Sequence, residues 1–198
     1  NFNKKNLFLE LKNFHKMIDV KTDIIIFAVT GLECLNLALK IAKSGKKVGL
    51  ANKECIISLG EHFISLSKKH KTKIIPLDSE HNAVFHLLKG YPAKFKNITI
   101  TATGGPFLNY SIKKLKNISP KKAANHPIWK MGKKISIDSA TMMNKALEII
   151  EAKYLFDLSS SQINAVIHPE AIMHASINYH NGTSIALLSQ PDMKIPIS

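Results

Sequence analysis

The sequence predicts an α/β fold in which a parallel sheet covered by helices is followed by a second unit of strands and helices. Over the first 77 residues, short apolar runs alternate with helical patterns and glycines, which is typical of βαβ units. Further along, one long helical pattern precedes three strand-like runs and an Asn-Gly turn, which favours a second, mixed unit. The apolar content of 45% is usual for a globular chain with a buried core.

The first unit is predicted to contain three strands and two helices. Residues 23–29 have the length of a buried strand, and the shorter runs 48–51 and 73–77 follow. Ligands of parallel sheets lie beyond the carboxyl ends of the strands, so residues 52–54 and 78–80 are candidate site positions. Each helix has an apolar face at helical spacing, formed by Leu32, Leu35 and Leu39 before Gly45, and by Ile56, Leu59, Phe63 and Leu66.

The second unit is predicted to begin near Asp78. A strand over 97–101 runs into a glycine-containing loop at 102–106, and a long helix is predicted from about residue 141 to 156. Three strands then follow, and Asn181-Gly182 joins the last two as a hairpin. These strands span residues 163–167, 172–178 and 183–188.

The charge balance is strongly basic, and lysine alone causes it. The chain has 28 basic residues, none of which is arginine, and a net charge of +14. Arginine is the usual side chain for reading phosphates and guanine edges, so we expect no nucleic-acid partner. A basic nucleic-acid-binding module is nevertheless the alternative from a different functional class.

Composition also limits the cellular setting. No apolar run approaches the eighteen or so residues that a membrane span needs, and the N-terminus lacks a signal-peptide pattern. Cys34 and Cys55 show neither metal-ligand spacing nor a disulfide framework. We therefore expect reduced thiols, no membrane partner and a cytoplasmic, bacterial location.

The segment 139–148 is the richest in candidate site chemistry. Hydroxyl, amide and ammonium groups donate to phosphates, whereas carboxylates bind divalent cations. On a helix, Asn144 and Glu148 are spaced i,i+4 and Lys145 and Glu148 i,i+3, so they share one face. The segment therefore predicts a place where a phosphorylated substrate meets a metal. The alternative is a solvated ion pair between Lys145 and Glu148, with Ser139 or Thr141 as a helix N-cap.

Asp78-Ser79-Glu80 places two carboxylates at the end of a predicted strand. In extended geometry, residues i and i+2 point the same way, so Asp78 and Glu80 could reach one cation. Together with Glu148 they would form an oxygen-only site, which favours Mg²⁺ or Mn²⁺ over Zn²⁺. The alternative is a pair of loop acids and a helix N-cap.

Two loops carry further candidate residues. Thr103-Gly104-Gly105 combines a hydroxyl with accessible backbone N–H groups, which suits a phosphate cradle or an ordinary tight turn. The stretch 126–131 contains His126 and Trp129, which could close over a substrate or simply anchor a surface loop. Two other histidines, His168 and His174, are predicted to be core or edge residues of strands.

Taken together, these segments resemble one family, the 1-deoxy-D-xylulose 5-phosphate reductoisomerases. The similar stretches occur in the family's order and run through almost the whole chain. They are LANKE (50–54), PLDSEHNAVF (76–85), TATGGPF (101–107), HPIWKMGKKISIDSATMMNKALEIIEAKYLF (126–156), VIHPEAIMHA (166–175) and QPDMKIPI (190–197).

The resemblance implies an NADPH-dependent enzyme with a divalent metal, Mn²⁺ or Mg²⁺, with Co²⁺ as a further candidate. Such an enzyme rearranges the carbon skeleton of 1-deoxy-D-xylulose 5-phosphate and reduces the resulting aldehyde to 2-C-methyl-D-erythritol 4-phosphate, a step of non-mevalonate isoprenoid biosynthesis. It also implies a homodimer for the full-length enzyme. Another metal-dependent enzyme of phosphorylated sugars, such as an aldolase or phosphatase, is the alternative.

The resemblance assigns each site residue a role. Asp78, Glu80 and Glu148 are the implied metal ligands, and Glu148 also contacts the substrate. The residues implied at the substrate's reacting end or in catalysis are Lys53, Ser79, Glu80 and His126. Those implied at its phosphate are Thr103, His126, Ser139, Asn144 and Lys145, with Thr103 replacing the family's usual serine. Those implied at NADPH are Asn52, Glu54, Met131, Gly132 and Met193, and Trp129 belongs to the closing flap.

The resemblance also implies a domain division. Residues 1–77 correspond to the second half of a Rossmann-like NADPH-binding domain, and residues 78–198 to an α/β catalytic domain of α+β character. The family's glycine-rich pyrophosphate loop and its C-terminal helical domain have no counterpart in this sequence. We therefore expect a fragment, whose own turnover is in doubt, and an inactive fragment is a further alternative.

Overall fold

The computed structural model describes residue 18 and residues 21–91, 93–129 and 132–198. The chain divides into two compact units, residues 1–77 and residues 78–198. Within the described ranges, no helix is both long enough and apolar enough to cross a membrane.

The described part of the first unit is a three-stranded parallel sheet with two helices. The strands are β1 (Ile24–Phe27), β2 (Lys47–Leu50) and β3 (Lys73–Pro76), in the order β1-β2-β3. Helix α1 (Leu35–Ala42) follows a short 3-10 turn at Leu32–Cys34, and α2 (Lys53–Lys69) follows β2. The strand–helix alternation predicted for this unit is confirmed.

The predicted buried faces in this unit are partly wrong. Leu32 lies in the 3-10 turn and is 60% exposed, because it is out of register with the helix that follows. The face of α1 that packs inward is instead formed by Leu37, Ala38, Ile41 and Ala42. Strand β1 was predicted to be buried, but Ile24 and Ile26 are 48% and 54% exposed.

Asn52 fixes the junction between β2 and α2. Its side-chain oxygen accepts a hydrogen bond from the Cys55 backbone N–H at 2.7 Å, which makes it the N-cap of α2. Its amide nitrogen donates to the Val29 carbonyl and to the Cys34 sulfur. The residue is 2% exposed, so its side chain ties together the segments that follow β1 and β2.

The second unit is a four-stranded mixed sheet with helices. Strand β4 (Phe95–Ala102) lies between β5 (Ile163–Ile167), which is parallel to it, and β6 (Met173–Tyr179), which is antiparallel. Strand β7 (Ser184–Leu188) pairs with β6 in the predicted hairpin, whose turn contains Gly182 at φ 86°. The helices are α3 (Ser79–Gly90), α4 (Ile112–Leu115), α5 (Pro120–Ala123), α6 (Lys133–Ala140), α7 (Met143–Leu155) and α8 (Lys194–Ile197).

Helices α3 and α6 of this unit were not predicted, and the long helix was predicted to begin about two residues too early. Helix α3 packs on β6 and supplies Ala83 and Val84 to a core that includes Ile98 and Ile177. Helix α6 was missed because its sequence lacks an apolar face at helical spacing. The predicted long helix begins at Met143, since Met142 adopts a left-handed conformation with φ 60° and separates α6 from α7.

Candidate functional site

Three carboxylates meet in the second unit. Asp78 precedes α3 as its N-cap, Glu80 lies in the first turn of α3, and Glu148 lies on α7. One ligand oxygen from each of them falls within 4.8 Å of the other two. Such a spacing lets all three oxygens coordinate a single cation. The structure therefore brings together the three residues that the sequence proposed for a metal.

The geometry that joins Asp78 to Glu80 differs from the expected one. Asp78 has extended backbone angles, but Glu80 is helical, so the expected i,i+2 extended arrangement is wrong. The two acids converge because one occupies the N-cap position of the helix and the other lies in its first turn. Asp78 does occupy the N-cap position of α3, but its side chain makes no capping hydrogen bond there. It belongs to the carboxylate cluster instead.

Lys145 and Asn144 approach the same carboxylates. The Lys145 ammonium donates to Glu80 Oε1 at 3.2 Å and to Glu148 Oε2, while the Asn144 amide donates to Glu148 Oε1. Ser79 donates to the other oxygen of Glu80 at 2.6 Å. The predicted ion pair between Lys145 and Glu148 is therefore present, but it is not solvated, because Lys145 is only 5% exposed and Glu148 only 1%.

Burial and charge set the protonation of this cluster. Burial raises the pKa of Glu80 to about 7; Lys145 opposes the shift, and the carboxylates of Glu148 and Asp78 add to it. Burial alone would lower the pKa of Lys145, but the neighbouring carboxylates, first Glu80 and then Glu148, hold it above its usual value. Lys145 is therefore charged at neutral pH, whereas Glu80 titrates there.

Thr103 and His126 form a second cluster. His126 Nδ1 accepts hydrogen bonds from the backbone N–H groups of Ile128, at 3.1 Å, and Trp129, at 2.9 Å. Nδ1 therefore carries no proton, and Nε2 donates to Thr103 Oγ1 at 3.0 Å. Burial lowers the pKa of His126, which agrees with a neutral ring. The Thr103 hydroxyl accepts this bond, so its own proton remains available for donation.

Gly105 brings the 103–105 loop against α6. A Cβ at Gly105 would lie 2.7 Å from the carbonyl oxygen of Ser139 and 3.2 Å from the Ala140 Cα. The loop can approach the end of α6 this closely only because Gly105 has no side chain. Ser139 and the Thr103 loop are thereby neighbours, as a shared phosphate site requires. Neither Ser139 nor Thr141 is an N-cap, since Met142 precedes α7.

The residues of this unit that were predicted for the flap and for NADPH do not form a cluster like that of the carboxylates. The ring of Trp129 lies 6.5 Å from that of His174, which is buried as predicted. Gly132 is the exposed N-cap of α6, and Met193, which precedes α8, is 39% exposed. Met131 lies outside the described residues.

The remaining candidates belong to the first unit and form a separate group there. Lys53 and Glu54 occupy the first turn of α2, directly after Asn52. Lys53 is 8% exposed and Glu54 is half-buried. All three follow the carboxyl end of β2, the position that the βαβ pattern indicated.

Two buried residues behind the carboxylates were not identified from the sequence. His81 is fully buried; its Nε2 lies 2.9 Å from the Glu148 backbone oxygen and its Nδ1 3.5 Å from Asp78 Oδ1. Glu151, 3% exposed, lies 4.0 Å from the same Nδ1. These contacts position Asp78 and Glu148. The i,i+3 spacing of Asp78 and His81 could have indicated the contact between these two residues, but only if α3 had been predicted.

Comparisons with known proteins identify the family of this chain. A family model described as 1-deoxy-D-xylulose 5-phosphate reductoisomerase matches residues 3–60, and one for the C-terminal domain of the same enzyme matches residues 74–156. Curated reductoisomerases of Wolbachia pipientis subsp. Culex pipiens and Anaplasma phagocytophilum are each 50% identical, over 177 and 179 residues. The chain belongs to the 1-deoxy-D-xylulose 5-phosphate reductoisomerase family. The resemblance inferred from the motifs is confirmed.

Solved reductoisomerases share the fold. A crystal structure of such an enzyme in complex with NADPH, fosmidomycin and magnesium matches with a TM-score of 0.85 and 45% identity over 90% of this chain. The Zymomonas mobilis reductoisomerase in complex with NADPH matches with a TM-score of 0.82 and 37% identity over 94% of this chain. The α/β fold class is therefore confirmed.

The matches cover the relatives only in part. The alignments include 89% and 90% of this chain but 45% and 46% of the Wolbachia and Anaplasma reductoisomerases. They include 47% and 48% of the two solved chains. This chain thus spans slightly less than half the length of the reductoisomerases it matches.

Proposed function

We propose that this chain carries the metal- and substrate-binding part of an NADPH-dependent 1-deoxy-D-xylulose 5-phosphate reductoisomerase. Residues 78–198 would belong to its catalytic domain and residues 1–77 to its NADPH-binding domain. The observation that carries the proposal is the convergence of three carboxylates within 4.8 Å. In the same unit, a hydroxyl and a neutral histidine form a second polar cluster. The family's substrate needs both a chelated cation and a bound phosphate.

The carboxylate cluster fits a hard divalent cation. Its donors are all oxygens, as Mg²⁺ and Mn²⁺ prefer. Asp78, Glu80 and Glu148 would hold the ion, which when bound supplies a Lewis acid and a template for the substrate's carbonyl and hydroxyl oxygens. Ser79 orients the Glu80 carboxylate through its 2.6 Å hydrogen bond.

The second cluster fits the phosphate of the substrate. His126 donates to Thr103, so the Thr103 hydroxyl still has its own proton to donate to an anion. Ser139 lies beside this loop through the close approach of Gly105. Asn144 and Lys145 would complete the site with amide and ammonium donors.

The remaining roles follow the family. Lys53 and Glu80 would act on the reacting end of the substrate, and Trp129 would help to exclude water. Glu54, Gly132, Met131 and Met193 would contact NADPH, which when bound supplies the hydride. The Asn52 side chain already forms hydrogen bonds with Cys55 and Cys34 in the first unit. It would therefore support the NADPH site from within this unit rather than contact the cofactor. A homodimer in the cytoplasm, without a nucleic-acid partner, is part of the proposal.

The test is an assay of the whole gene product. NADPH absorbance is expected to fall only when 1-deoxy-D-xylulose 5-phosphate and Mg²⁺ or Mn²⁺ are both present, and chelation of the metal should stop the reaction until excess Mg²⁺ restores it. An aldolase or phosphatase would consume the substrate without oxidising NADPH. Undiminished turnover in the presence of a chelator would contradict the metal assignment.

Mg²⁺ binding is expected to tighten about tenfold between pH 6 and pH 8, because Glu80 must lose its proton before it can coordinate the ion. The pKa of Glu80 is raised to about 7 in the fold. Without metal, the stability that Glu80 contributes is therefore complete at low pH and is lost as the pH rises through 7. Mg²⁺ should consequently raise the melting temperature more at pH 8 than at pH 6.

The matched control for this pH dependence is Glu80→Gln, which removes the titrating group. The variant should bind Mg²⁺ weakly and with little change between the two pH values. Calorimetric titration at each pH measures the affinity directly. Equal Mg²⁺ affinity of the parent protein at pH 6 and pH 8 would show that Glu80 is ionised throughout this range.

A further inference from the structure

Lys145 occupies the space between two of the proposed metal ligands. Its ammonium lies 3.2 Å from Glu80 Oε1 and also donates to Glu148 Oε2. The side chain is 6% exposed, so water contributes little to holding this charge. In the structure, Lys145 therefore serves as the counter-ion of the carboxylate cluster.

A divalent cation competes with Lys145 for the same oxygens. Mg²⁺ binds carboxylate oxygens at about 2.0–2.1 Å, so an ion shared by Glu80 and Glu148 would lie within a few ångströms of the ammonium. Like charges at that distance repel strongly where water is excluded. The bound ion also supplies two positive charges to the carboxylates, and Lys145 is then no longer needed as their counter-ion.

The phosphate cluster offers Lys145 a second partner. Ser139 lies in the last turn of α6, shortly before Lys145 in the chain, and α6 packs against α7. Gly105 holds the Thr103 loop against Ser139. A lysine has a flexible four-carbon stem, so its ammonium can move by several ångströms without moving the helix.

We propose that Lys145 is shared between the two subsites, pairing with the carboxylates when no cation is bound and with the phosphate when a cation is bound. Binding of the cation and binding of the phosphate then reinforce each other, and by linkage each raises the affinity for the other by the same factor. The inference rests on the proposed function for the existence of both subsites, and it adds the positioning residue that couples them.

The test is a pair of calorimetric titrations of the whole gene product. Methyl phosphate is the probe, because it is a phosphate monoester without the hydroxyl and carbonyl that chelate metal. Mg²⁺ is expected to tighten methyl phosphate binding roughly tenfold, and methyl phosphate to tighten Mg²⁺ binding by the same factor. A coupling factor of one, or failure of either ligand to bind, would overturn the proposal.

Two variants separate coupling from simple charge attraction. Lys145→Gln should bind Mg²⁺ alone at least as tightly as the parent, since the competing ammonium is gone, and should lose most of the coupling factor. Lys153→Gln, at an exposed position of the same helix, removes the same charge and should retain the coupling. A Lys145→Gln protein that is as strongly coupled as the parent contradicts the shared role. These titrations contain no NADPH. They therefore test the coupling between the two subsites even if the reductase assay of the whole gene product fails.

Discussion

Replacing Glu148 with glutamine is expected to abolish turnover of the whole gene product and to weaken Mg²⁺ binding more than about a hundredfold. Loss of a residue that only supports metal ligands already costs about 10–100-fold, and Glu148 is a proposed ligand itself. Its side chain is 2% exposed and receives hydrogen bonds from Asn144 and Lys145. Glutamine keeps the shape but removes the charge and one oxygen.

The fold should survive this substitution. Without metal, the cluster has three carboxylates and one ammonium. Removal of one negative charge still leaves Lys145 paired with Glu80, so we expect the protein to remain folded. Glu170→Gln is the matched control, since the Glu170 side chain is 64% exposed and forms an ion pair with His168 at 3.2 Å, away from the carboxylate cluster residues. Calorimetry with Mg²⁺, circular dichroism and NADPH oxidation measure the three effects. A Glu148→Gln enzyme as active as the parent would refute the ligand assignment.

Gly105→Ala is expected to remove phosphate binding while leaving Mg²⁺ binding in place. Gly105 has φ 70°, a conformation that costs other residues about 1 kcal/mol or more. The added Cβ would also lie 2.7 Å from the Ser139 carbonyl oxygen, which is backbone and cannot rotate away. The Thr103 loop must then separate from Ser139, and the donors proposed for the phosphate no longer converge.

Gly182→Ala isolates the steric part of this effect. Gly182 has φ 86°, but a Cβ there would meet nothing within 4 Å. Both variants should lose stability from the unfavourable φ, whereas only Gly105→Ala should lose affinity for methyl phosphate. Thermal unfolding and calorimetry in parallel distinguish the two contributions. If the two variants bound methyl phosphate equally well, the loop of Gly105 would not belong to a phosphate site.

Several elements could be predicted because their signals are local. The three parallel strands and the hairpin at Gly182 follow from short apolar runs and turn residues, which act within a few positions. Helix α6 could not be predicted, because its residues show no apolar face at helical spacing. The inward face of α1 was misjudged for a related reason, since a 3-10 turn shifts the register of Leu32.

The chemistry of the site was readable from residue types, but its arrangement was not. Asp78, Glu80 and Glu148 carry the ligand chemistry wherever they lie. Their convergence depends on α3 and α7 meeting across 65 or more residues of chain, which no local pattern encodes. For the same reason the sequence did not predict that Lys145 contacts Glu80, and it missed the buried contacts of His81 with Asp78 and Glu148.

The sequence by itself determined the family, the α/β class and the list of side chains able to bind a cation and a phosphate, because motifs and periodicity are properties of the chain. Only the tertiary structure decided that the opposite charges of Lys145 and Glu80 meet in a buried space. Burial removes the screening by water, so it is packing that raises the pKa of Glu80 and makes Lys145 a competitor of the metal.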